Sequence, residues 1–167
     1  MRLVSIFLLI FLVGCGFQMR GTFVAPEYLK TVRILPDDPY TPLQKSIRAS
    51  LMKAGTNIVS PSRSNVTTIN LLSSIFSEAA LSYDTSGQAE RVQRTLTISY
   101  QVTAANGKIL TNAATITASR EFVTSQTQLL SSDNELATID RELVRDIAVK
   151  LIRQLTKLKV DNANLPR

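Results

Sequence analysis

Val92-Gln93-Arg94-Thr95-Leu96-Thr97-Ile98-Ser99-Tyr100-Gln101-Val102-Thr103 alternates apolar and polar residues along almost its whole length. Side chains with a period of two bury one face of a strand and leave the other wet. Val92, Leu96, Ile98, Tyr100 and Val102 are therefore expected on a core, with Gln93, Thr95, Thr97, Ser99, Gln101 and Thr103 facing out. Arg94 has the parity of the core set, so its stem is expected to lie along hydrocarbon near the strand end. Asn106-Gly107 follows, the dipeptide preferred where both central residues of a two-residue hairpin turn take positive φ. A further strand is expected over about 108–124. On the other side, Ser86-Gly87 centres a turn from Asp84 to Gln88. Before it, Ile69, Leu71, Ile75, Ala79 and Leu81 share one parity, which predicts a strand with one face on the core. Leu72 and Phe76 break the alternation, which requires a bulge or burial on both faces. These strands form a meander.

The flanks complete the domain. Thr31 to Leu35 reads as a short strand closed by Pro36, and Asp37-Asp38-Pro39 as a turn. Thr41 is an N-cap with Pro42 at the first helical position, and Leu43, Ile47, Leu51 and Ala54 recur at helical spacing until Gly55. Asn57 to Pro61 holds at most a short extended piece. Ser132 three residues before Glu135 has the form of a capping box, ahead of a stripe of Leu136, Ile139, Leu143, Ile147, Leu151 and Leu155. The order is β-α-β-β-β-α. It predicts one α+β domain over 31–160, with a mixed, mostly antiparallel four-stranded sheet and two helices packed on one face. Residues 161–167 read as a tail.

The N-terminus carries an address. Arg2 and the apolar run from Leu3 to Val13 match a signal peptide over 1–14 and are too short for a membrane span. Leu12-Val13-Gly14-Cys15 resembles the lipobox of bacterial lipoproteins, in which Gly14 admits the peptidase and the Cys15 thiol receives the diacylglyceryl group. Several acyl chains on Cys15 would hold the protein to a bilayer. Gly16, in place of Asp, resembles an outer-membrane destination. Residues 15–30, with Gly16, Gly21 and Pro26, read as a tether. Cys15 is the single cysteine of the 167 residues, so no internal disulfide is available. Removal of the signal lowers the formal net charge of +6 by one. That basic excess suits acidic partners such as phosphorylated lipid, and export argues against nucleic acid.

Catalytic chemistry has little to work with. The chain has no His, which excludes Ser-His and Cys-His nucleophiles, and no phosphate loop, zinc spacing or calcium loop occurs. Asp37-Asp38 reads as turn chemistry, and Asp140, Glu142 and Asp146 lie among Arg141, Arg145 and Lys150 on what reads as a solvated helix face. The expectation is a protein that is not an enzyme and needs no cofactor or metal. Among the cations, Arg91, Arg94 and Arg120 beside the apolar layer are candidates for contact with lipid phosphate, or rim arginines that cover the sheet.

Cys15-Gly16-Phe17-Gln18-Met19-Arg20-Gly21 resembles the start of LPS-assembly lipoproteins of the LptE family. The Pro42-Leu43 helix start, the Gln88-containing hairpin and Asp133-Asn134-Glu135 before the last helix fit as well. The resemblance implies an outer-membrane lipoprotein whose domain plugs the lumen of the β-barrel LptD, helps it assemble and assists lipopolysaccharide export. It makes that barrel and lipopolysaccharide the expected partners, with Thr85 and Asn106, on two turns, as candidate barrel contacts at the deep end. It also implies basic residues at the sheet tips that touch lipopolysaccharide. Here the Asp84 to Gln88 turn has none, and Arg91 is the nearest. Two other readings stay open: a lipoprotein accessory of an ABC-type lipid transporter, and a lipid-anchored hydrolase.

Overall fold

The computed structural model describes residues 24–123 and 129–158, except for the side chains of 129–133. After a 3-10 turn at Glu27–Leu29 come β1 (Thr31–Leu35), α1 (Pro42–Lys53), β2 (Asn57–Ile58), β3 (Thr67–Tyr83), β4 (Ala89–Thr103), β5 (Ile109–Val123) and α2 (Leu129–Lys157). The strands form one sheet in the order β2-β1-β3-β4-β5. β1 lies parallel to β2 and β3, while β3, β4 and β5 form the antiparallel meander. The sheet thus has five strands, because the short extended piece at Asn57 pairs beside Thr31.

The bulge foreseen in β3 falls at Leu72. Leu71 opposes Tyr100 but Ser73 opposes Ser99, so the register slips there by one residue. A one-residue slip exchanges the two faces of a strand. Ile69 and Leu71 consequently share the helix-covered side with Phe76, whereas Ile75 and Ala79, expected on the core, lie on the open side. Ile75 is 60% exposed as a result.

Both hairpin turns use three-residue loops. The Ala104 N–H donates to Lys108 O at 2.8 Å and the Gly107 N–H to Ala104 O at 3.0 Å, a pattern repeated between Asp84, Gly87 and Gln88. Only the glycine of each loop has positive φ, +81° at Gly87 and +82° at Gly107. Asn106 keeps negative φ, so the two-residue turn expected there is replaced by a type I turn closed by a left-handed glycine.

Both helices cover one face of the sheet. Val32, Ile34, Ile69, Leu96, Ile98, Val102 and Ile116 meet Ile47 and Leu51 of α1 and Leu143, Ile147, Leu151 and Leu155 of α2 in one core. The α2 stripe is wider than expected, since Val144, Ala148 and Ile152 are also buried. The helix already runs through Ser132, so the capping-box position lies inside it. Ala25, Tyr28 and Leu29, ahead of the expected domain start at Thr31, belong to the same core. The Tyr28 hydroxyl donates to Leu155 O and, at 3.2 Å, to Leu158 O, while Thr67 Oγ1 donates to Tyr28 O at 2.6 Å. The 3-10 turn is thereby tied to the end of α2 and the start of β3.

This arrangement gives the domain a base and a tip. The base gathers the starts of β1 and β3, the Ala104–Lys108 loop and the C-terminal ends of both helices. The tip is the Asp84–Gln88 loop. At about 3.3 Å per residue the 17-residue β3 spans about 55 Å.

Candidate functional site

The open face of the meander is a field of hydroxyls. Thr95, Thr97 and Ser99 of β4 stand opposite Ser119, Thr117 and Thr115 of β5, and Ser77 and Ser73 of β3 flank them on the other side. Thr97 and Thr117 are 3.4 Å apart at their hydroxyls, and Ser99 and Thr115 3.5 Å. Among the described residues no helix lies over this face. Ile75 stands among the hydroxyls, and the register puts exposed Val123, opposite Arg91, and Ile109, opposite Thr103, at the two ends of the same face.

The helix-covered face carries the cations. Register places Arg94 opposite Arg120, and two like charges side by side need carboxylates. They receive them from α2 and β3. Arg94 binds Asp140 through Nε at 2.9 Å and a terminal nitrogen at 3.0 Å, and donates to Glu78 at 2.6 Å. The Phe76 ring lies 4.8 Å from its guanidinium carbon. Hydrogen bonding to Asp140, only partly opposed by desolvation, raises the Arg94 pKa. Arg120 reaches Asp146 at 2.5 Å and Glu142 at 3.5 Å. Lys150 of α2 donates to the backbone carbonyl of Thr117 at 2.7 Å, on the outer edge of β5. The acidic set that reads as a solvated helix face is instead the helix's hold on the sheet.

Arg91 is on the open face near the tip, 2.5 Å from Glu121 with both side chains about half exposed. All three candidate arginines are thus paired within the chain. Nothing about the individual acids announces this. The signal was the shared parity of Arg94 and Arg120 once β4 and β5 are aligned.

The two candidate turn residues come apart. Thr85 is in the tip loop and Asn106 in the base loop, since successive turns of a meander alternate ends. The tip loop is firmly built: Asp84 Oδ1 accepts from the Ser86 hydroxyl at 2.6 Å and from the Ser86 and Gln88 N–H groups at 2.8 and 2.9 Å. The Ser86 hydroxyl, then the Gln88 N–H, hold the Asp84 carboxyl below its ordinary pKa. Cys15 lies outside the described residues. Among the described residues no group of His, Cys, Asp and Glu is gathered as a metal would require.

The lipopolysaccharide-assembly family model, LptE, matches residues 29–155, which is nearly the whole described domain. The chain belongs to the LptE family. Its LptE relatives include the LPS-assembly lipoprotein LptE of Photorhabdus laumondii, 30% identical over 150 residues that cover 90% of this chain and 80% of that one. The LptE of Pectobacterium atrosepticum is 29% identical over 143 residues, 85% of this chain and 77% of that protein. Lipoprotein B from Nitrosomonas europaea superposes with a TM-score of 0.67 at 18% identity, over 84% of this chain and 90% of its own. A minor lipoprotein from Acinetobacter baumannii gives 0.64 at 17% identity, over 77% and 91%. These two likenesses concern the LptE fold alone.

Proposed function

We propose that the mature protein is anchored to the outer membrane through acylated Cys15, plugs the lumen of an LptD-type β-barrel, and assists lipopolysaccharide export to the cell surface. The observation that carries this reading is the uncovered hydroxyl face of β3, β4 and β5 in a member of the LptE family. A barrel wall has no free backbone edge, so contacts with it come from side chains and loops. A lumen facing water suits Ser and Thr better than an apolar patch. The tip then enters deepest, because the tether leaves from the base.

Lipopolysaccharide would be met near Arg91. Its partner Glu121 is half exposed, so a phosphate could take the carboxylate's place, whereas Arg94 is held by two acids and an aromatic ring. Arg120, with two acids of its own, is intermediate.

Photo-crosslinkers at Thr85 and Asn106 test the plug in cells. Both should trap the barrel protein, Thr85 from within the lumen and Asn106 at the periplasmic rim. Crosslinks only to an inner-membrane transporter subunit would favour the accessory reading instead.

A further inference from the structure

The base gathers exposed cations and exposed apolar side chains at one end of the domain. Lys53 ends α1, Lys157 ends α2 and Lys108 closes the β4–β5 loop, all three exposed. Among the described residues none of them has a carboxylate within 4.0 Å, and the acid nearest this end, Glu27, is taken by Lys30 at 2.5 Å. Of the cations toward the tip, Arg91, Arg94 and Arg120 are matched by acids. The base also holds three exposed apolar side chains, Val24 (82%), Met52 (60%) and Ile109 (52%). Val24 and Met52 share a corner, since the Ala25 N–H donates to Ala54 O at 2.8 Å. Lys53 and Lys157 also offset the negative ends of their helices, but Lys108 belongs to no helix and has the same sign.

We propose that the base is a peripheral membrane-contact surface for anionic phospholipid, with Lys53, Lys108 and Lys157 over the headgroups and Val24, Met52 and Ile109 at the interface. This rests on the anchoring of Cys15. The chain from Cys15 to Val24 spans at most about 30 Å even when fully extended, so the base is the end kept beside the bilayer. Lysines beside exposed apolar groups are the combination that binds an anionic interface. No described helix is long and apolar enough to cross a membrane, so the contact is on the surface. Before the domain enters a barrel, this contact holds its long axis upright, with the tip pointing away from the leaflet that holds the lipid.

The test uses the acylated full-length mature protein in vesicles of phosphatidylcholine, with or without phosphatidylglycerol. Acylation occupies Cys15, so a cysteine introduced as Asn106→Cys or Thr85→Cys is the single free thiol for a fluorophore. Headgroup-labelled lipid should quench the Asn106 probe several-fold more when phosphatidylglycerol is present, and raised salt should reverse the gain. The Thr85 probe should stay bright. Combining Lys53→Glu, Lys108→Glu and Lys157→Glu should abolish the lipid dependence, and the salt series reads the same contact without any substitution. If the protein floats with the vesicles but the Asn106 probe ignores phosphatidylglycerol, the base contact is overturned alone. If the acylated protein does not float at all, the anchor fails and the base contact with it.

Discussion

Arg94 and Asp140 face each other as two parallel hydrogen bonds, 2.9 and 3.0 Å long, joining the middle strand of the meander to the long helix. The pair is only partly exposed, 21% for the arginine side chain and 33% for the aspartate. Glu78 adds a third bond from the neighbouring strand. Bidentate charge-assisted geometry of this kind is stronger than an ordinary surface pair.

Arg94→Leu should therefore cost about 1.5–3 kcal/mol, because it leaves Asp140 and Glu78 near apolar surface without their donor. Denaturant unfolding of Arg94→Leu, Asp140→Leu and the double variant gives the coupling. Strict additivity would mean that the pair contributes no interaction energy of its own.

Tyr28→Phe removes the donor to the last carbonyls of α2 and should cost about 1 kcal/mol. Burial raises the pKa of Tyr28 and of Tyr100. The folded state thus disfavours their ionisation, so their contribution is fully present below the ordinary value of 10.0 and is lost as pH rises through the folded values. Unfolding curves across alkaline pH should show the wild type losing stability more steeply than a Tyr28→Phe, Tyr100→Phe double variant.

Much of the architecture could be read from the chain because β4 and the helices keep strict periods. What could not be read came from single-residue events. A two-residue turn at Asn106-Gly107 would set Ile98 opposite Thr115; the longer loop and two register shifts set it opposite Ile116. The slip at Leu72 turned Ile75 outward in the same way. The acids on α2 were legible as residues but not as partners, since their ligands lie on strands whose alignment those slips decide. The hydroxyl face was visible in β4 from the start.

Gly107→Ala should destabilise the domain by about 1–2 kcal/mol, because a Cβ at φ +82° is strained even though nothing lies within 4 Å of it. Asn106→Ala should cost less, as that residue needs no left-handed conformation. Thermal unfolding ranks the two, and the reverse order would contradict the loop geometry.

Asp84 gives an acid-side prediction. Its carboxyl is held below the ordinary 3.8, so it contributes stability that is present above that value and lost as pH falls through the folded one. The stability gap between wild type and Asp84→Ala should be constant near neutrality and close in acid. An NMR titration of Asp84 with a midpoint above 3.8 would contradict the loop's hydrogen bonding.

The lysine that reaches the Thr117 carbonyl acts on what the protein avoids before it finds a partner. β5 is 15 residues long and, among the described residues, has no strand beyond it, a template on which other chains can polymerise. The Lys150 ammonium sits on that rim, so an incoming strand must displace a cation and give up a bond already made. The molecule thus carries a guard against stacking with its own kind.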